Sequence, residues 1–137
     1  MLDKKRVLSK VDEFDSYIGE LIQITPTSFE EYQKIEKKRG CERLLQLAIE
    51  CTIDICKLLV SGLRLGLPSE ENDLFDKLQQ KGILSEGLTR MLKEMRGFRN
   101  ILVHEYAVVD DELVYEAVKT RLRDFREFKE QILKALQ

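Results

Sequence analysis

Apolar residues recur at Val7, Val11, Phe14, Ile18, Leu21 and Ile22, three or four positions apart. At about 100° per residue these fall on one face, so the spacing predicts a helix over roughly residues 3–25. Pro26 ends it, because the residue before a proline is pushed out of the helical region. Ser28-Phe-Glu-Glu31 has the form of a capping box, in which Ser28 takes the backbone N–H three residues on and Glu31 reaches back to the Ser28 N–H. A long second helix is expected from there to Leu63, with Leu45, Ile49, Cys56, Leu59, Val60 and Leu63 on its later apolar face. Tyr32 and Ile35 are rotated off that face, and Gly40 lies between the two stripes, so a bend or a change of packing partner is expected near Gly40.

Gly62, Gly66 and Pro68 mark the next connection. Ser69 is placed to cap a short helix that opens with Glu70 and Glu71, acids favoured by the helix dipole, and that stops at Gly82. Ser85 can cap a fourth helix over roughly residues 86–102. Asp110 or Asp111 can start a fifth, over roughly 111–136, whose apolar positions are Val114, Ala117, Val118, Phe125, Phe128, Ile132 and Leu136. There is no internal repeat, and the nearest thing to a strand, Ala107-Val108-Val109, is too short to build on. The expected fold is all-α: an up-and-down bundle of about five helices in a single domain spanning residues 1–137.

Composition narrows the function. With 23 basic and 25 acidic residues the net charge is -2, which gives no overall electrostatic case for nucleic-acid binding. A local patch would have to supply it, from Arg90, Lys93, Arg96, Arg121, Arg123 and Arg126; the alternative is that these are ordinary solvated helix faces. Cys41, Cys51 and Cys56 contain no C-x-x-C pair, and one histidine cannot complete the usual zinc ligand sets. They read as reduced thiols on apolar faces, which suits the cytoplasm. No signal peptide or membrane span is expected, since no long uncharged apolar run occurs.

The chemistry concentrates in residues 96–106, Arg-Gly-Phe-Arg-Asn-Ile-Leu-Val-His-Glu-Tyr. On a helical wheel with Leu88 at zero, Leu92, Met91, Met95 and Leu102 lie within about 60°, and Arg99 lies at about 20°, inside the apolar stripe. Arg90, Lys93 and Arg96 fall off the stripe and read as solvent-facing. A guanidinium among apolar side chains is costly unless it is paired or borders a polar pocket or interface. Arg99 therefore either pairs with a buried acid or marks a site, and His104, the only histidine, is either structural or catalytic. On an unbroken helix the two would sit about 140° apart, so sharing a site requires the helix to end near Leu102–His104, or a second copy to contribute. Arginine, histidine and Asn100 around one cavity suit phosphodiester chemistry: histidine moves protons near neutrality and arginine grips the phosphate. Two histidines acting as acid and base would require a dimer.

Arg99-Asn100-x-x-x-His104-x-Tyr106 resembles the R-x4-H-x-Y motif of HepT-like toxins, within the HEPN superfamily of helical domains. The likeness extends to Lys81-Gly-Ile-Leu-Ser85, Met95-Arg-Gly-Phe-Arg-Asn100, Arg43-Leu-Leu-Gln-Leu-Ala-Ile-Glu50 and the Phe-rich last helix, nearly the whole chain. The resemblance implies a HEPN-like fold and the toxin of a type VII toxin-antitoxin system. It further implies a homodimeric endoribonuclease needing no metal or other cofactor, with RNA (tRNA or mRNA) as substrate. Arg99 and His104 would then be catalytic, and Asn100 would shape the site. Tyr106 would be AMPylated by a cognate minimal nucleotidyltransferase antitoxin, whose added phosphates would repel and block RNA. On residues alone Tyr106 reads equally as a core tyrosine with its hydroxyl at the surface. A non-catalytic helical dimer that binds a nucleotidyltransferase or a nucleotide is the competing reading.

Overall fold

The computed structural model describes residues 2–104 and 109–137. Over these residues the chain forms seven helices and no strand: α1 (Lys4–Ile24), α2 (Phe29–Tyr32), α3 (Ile35–Gly62), α4 (Glu71–Gln80), α5 (Glu86–Val103), α6 (Asp111–Thr120) and α7 (Leu122–Ala135). The all-α expectation holds. Two of the five expected helices are each divided in two.

Helix α3 is the axis. Ala48, Ile49, Cys51, Thr52, Ile53, Ile55, Cys56, Leu59 and Val60 are all buried, too many successive positions for one stripe. Such a helix has to be covered on most sides, and α1, α4, α5 and α6 all pack against it. The stripe of α1 buries Val7, Val11, Phe14 and Leu21 as its spacing requires. Phe14 meets Phe125 and Phe128 of α7 edge-on, with ring centroids 5.9 and 5.8 Å apart, which closes the bundle between its first and last helices.

No break falls at Gly40: α3 runs through that position. A side chain there would bring its Cβ within 2.9 Å of Ile24 Cδ1, so the glycine admits the end of α1. The break falls earlier, at Gln33 and Lys34, where Lys34 is extended (φ -63°, ψ 132°). It lets α2 turn Phe29 and Tyr32 onto Tyr115 of α6, with centroid separations of 5.6 and 5.8 Å. Ser28 caps α2 by accepting from Glu31 N–H at 3.1 Å, but Glu31 reaches past Ser28 to accept from the Thr27 hydroxyl at 2.7 Å. The last expected helix breaks at Arg121 (φ -98°, ψ -6°), just after the Thr120 hydroxyl donates to the Glu116 carbonyl at 2.7 Å. Back-bonding of this kind competes with the helical ladder and bends helices.

Helices α4 and α5 carry the remaining interest. The cap of α4 is Glu70 instead of Ser69, whose backbone N–H donates to Asp73 at 3.0 Å. Gly82 takes φ +83° and ends α4, with Ile83 N–H returning to the Leu78 carbonyl at 2.9 Å. Ser85 caps α5 by accepting from Leu88 N–H at 3.2 Å, and Gln131 of α7 fastens the same cap by accepting from Ser85 N–H at 3.0 Å.

Candidate active site

Leu88, Met91, Leu92 and Met95 bury the apolar face of α5 against the core, and Arg99 follows on that face near the helix end. Its side chain is only 16% exposed, and Nη2 donates to Glu71 Oε1 of α4 at 2.6 Å. At that length the bond is a charge-assisted one. Arg99 thus satisfies the requirement that a cation on an apolar face be paired, and the partner is a half-buried acid. Its Nε is buried with no hydrogen-bond partner among the described residues.

Arg96 corrects the wheel reading. It is not solvent-facing: its Nε donates to the same Glu71 Oε1 at 3.1 Å. At about 80° from Leu88 it lies on the flank of the stripe, and α4 covers that flank. Lys93, one turn earlier, is drawn to α4 as well, 2.6 Å from Asp76, whereas Arg90 stays exposed beside Glu86 at 3.4 Å. Arg121 lies between Glu94 at 2.8 Å and Asp124 at 3.3 Å. Four of the six candidate patch residues are therefore in ion pairs, while Arg123 and Arg126 are exposed on α7.

Helix α5 ends at Val103, and His104 is its C-cap residue with extended backbone (φ -81°, ψ 118°). The helix therefore stops where a shared site for Arg99 and His104 needs it to stop, and His104 is freed from the wheel that would separate them. His104 and Asn100 are exposed. Tyr106 lies outside the described residues. The three cysteines are buried in α3 without a disulfide, and burial raises each thiol above its ordinary range. No three His, Cys, Asp or Glu side chains gather into a metal-holding group among the described residues. None of the described helices is long and apolar enough to cross a membrane.

The model of the ribonuclease HepT-like family matches residues 14–132, which include α5 and Arg99 through His104. The chain belongs to the ribonuclease HepT-like family. Among its relatives, the mRNA nuclease HepT of Shewanella oneidensis is 36% identical over 84 residues, 61% of this chain and 63% of that protein, so the match spans just under two thirds of the relative's length. The tRNA nuclease HepT of Aphanizomenon flos-aquae is 31% identical over 117 residues, 85% of this chain and 80% of that one. Among solved structures, the tri-AMPylated Shewanella oneidensis HEPN toxin in complex with its MNT antitoxin superposes with a TM-score of 0.86 at 28% identity, covering 94% of this chain and 96% of that one.

Sequence reasoning found the HepT-like motif but missed Glu71 and Arg96. The signal was present: a cation predicted inside an apolar stripe calls for a carboxylate. Glu71 already had a sufficient explanation as a helix-opening acid, so nothing directed it to Arg99.

Proposed function

We propose that this HepT-like chain is the toxin of a type VII toxin-antitoxin pair, a metal-independent endoribonuclease built as a single helical domain over residues 1–137 and working as a homodimer in the cytoplasm. The observation that carries the reading is Arg99, held on the apolar face of α5 one turn before the helix ends and releases His104. His104 takes the proton from a ribose 2′-hydroxyl, which attacks the adjacent phosphorus. Arg99 grips the phosphate oxygens and offsets the charge that builds on them. The departing 5′-oxygen takes a proton from a second histidine, leaving a cyclic phosphate and a 5′-hydroxyl. One histidine per chain makes that second group the other copy's, which is why the reading needs two copies. The exposed apolar residues Ile101 and Val103, next to the motif, are of the kind a second copy would cover. Asn100 lines the cleft between the motifs.

Regulation follows the solved relative, a toxin carrying AMP groups in complex with its antitoxin. In this chain the acceptor is the Tyr106 hydroxyl and the modifier a cognate minimal nucleotidyltransferase. AMP phosphates beside the cleft repel and obstruct RNA.

The test is cleavage of tRNA and of a defined mRNA in EDTA, by protein whose intact mass shows Tyr106 unmodified. Arg99→Ala and His104→Ala are expected to lose about 100-fold or more while remaining folded. No cleavage by bare wild type would move the reading to a non-catalytic helical dimer that binds the nucleotidyltransferase or a nucleotide.

A further inference from the structure

Glu71 stands in the first turn of α4, where an acid gains from the helix dipole by pointing outward into water. This one turns across to α5 and accepts on one oxygen from two guanidinium groups, Arg99 Nη2 at 2.6 Å and Arg96 Nε at 3.1 Å. An ordinary surface pair sets one cation against one anion. Here two positive charges meet one negative charge in a half-buried setting, where their mutual repulsion is poorly screened, and the surplus is a single positive charge. Arg99 Nε, at this contact, is buried without a hydrogen-bond partner among the described residues. Buried polar groups are paired in finished structures, so an unpaired guanidinium nitrogen next to surplus charge marks a place prepared for something that completes it.

We propose that Glu71 is a positioning residue of the nuclease, holding Arg99 and Arg96 together as a paired guanidinium grip for the RNA phosphate. The inference rests on the assignment of Arg99 to catalysis. Each guanidinium gives one of its five N–H donors to Glu71 and keeps its other donors for an anion. Arg99, nearer the end of α5 and His104, takes the phosphate that reacts. Arg96, one turn back, takes an oxygen of the same or the neighbouring phosphate. The carboxylate fixes the rotamers of two long side chains before substrate arrives, so the ordering entropy is not charged to the transition state.

The experiment is steady-state cleavage of a defined RNA by the full-length bare dimer, with wild type, Glu71→Gln, Glu71→Asp, Glu71→Ala, Arg96→Ala, Arg99→Ala and Arg99→Lys compared. Thermal unfolding is read in parallel. Glu71→Gln keeps the size of the side chain on a half-exposed helix start, so it is expected to fold, and to lose about 10- to 100-fold in kcat with KM changed by less than about threefold. Glu71→Asp recovers part of that loss, and Arg96→Ala raises KM more than it lowers kcat. In the Arg99→Lys background Glu71→Gln costs less than about twofold more, because the residue it positions is already altered. A Glu71→Gln enzyme as fast as or faster than wild type, beside an inactive Arg99→Ala, overturns the positioning role and leaves the catalytic assignment standing. So does a loss in all Glu71 variants that merely follows a lowered unfolding temperature. An Arg99→Ala enzyme as active as wild type overturns the catalytic assignment, and the positioning role with it.

Discussion

Cys41, Cys51 and Cys56 lie on the axial helix, where burial disfavours the thiolate, and burial pushes Cys51 up to about 11 from its ordinary 9.0. The thiolate is the reactive form, so the sign of the effect is protective. The folded protein is expected to react slowly with iodoacetamide at pH 8, and the Cys51 rate should rise steadily with pH and level off only near 11. In guanidinium all three thiols should react at the rate of free cysteine. Mass spectrometry of the time course checks this, and one fast native thiol at pH 8 would point to an opened α3. Burial also accounts for what could be seen of the site in the sequence. Arg99 was legible because an arginine in an apolar stripe conflicts with its surroundings, and such a conflict is visible on a helical wheel. Glu71 was not, because it stands 28 positions away and satisfies a local rule where it stands. Arg96 was misread because the flank of a stripe is buried or exposed according to the neighbouring helix, which the wheel does not contain.

Among the elements, the ends of α4 and the middle of α1 give opposite expectations for one substitution. Gly82 holds φ +83°, a conformation that a side chain resists even though no atom lies within 4 Å of where its Cβ would be. Gly82→Ala should therefore destabilise by about 1 kcal/mol through backbone strain alone. Gly19 lies inside α1, also with nothing within 4 Å, so Gly19→Ala should stabilise by about 1 kcal/mol. Urea midpoints read at unchanged slope measure both, and the same sign for the two would contradict the conformational account. Element boundaries governed by local chemistry were legible in the same way: Pro26 after α1, Ser85 before α5 and Asp110 before α6 stand where the structure has caps or stops. The breaks at Lys34 and Arg121 were not. The first exists so that Phe29 and Tyr32 can meet Tyr115, more than eighty positions along, and no local pattern announces that meeting. The second follows from a Thr120 hydroxyl that a periodicity count treats as one more polar position.

At the scale of the whole molecule, and on the proposed nuclease reading, a chain with net charge -2 that pairs all four cations of α5 does not draw RNA by a broad basic surface. Its grip has to come from a few arginines brought close together, and a single copy carries one histidine. Both facts favour a site completed by symmetry, since a two-fold axis doubles every group that lies near it. A mixed dimer tests how the site is completed: the two-histidine centre proposed above needs His104 from both copies, so a mixture of Arg99→Ala and His104→Ala is expected to stay inactive. In another form of a composite site, each of two equivalent centres takes Arg99 from one copy and His104 from the other. Arg99→Ala and His104→Ala are then each inactive alone, but a mixed dimer contains one centre with both groups intact. Co-refolding the two variants in equal amounts puts half of the dimers in the mixed form, so about a quarter of the wild-type activity would then return. If instead Arg99 and His104 of the same copy form the centre, or if all four groups serve a single centre on the axis, the mixture stays inactive. Native mass spectrometry of the mixture reports the mixed dimer independently, which separates a failure to exchange copies from a failure to restore cleavage. Recovery near a quarter would fix the pairing across the axis and overturn the two-histidine centre, and a silent mixture with mixed dimers present would exclude that pairing.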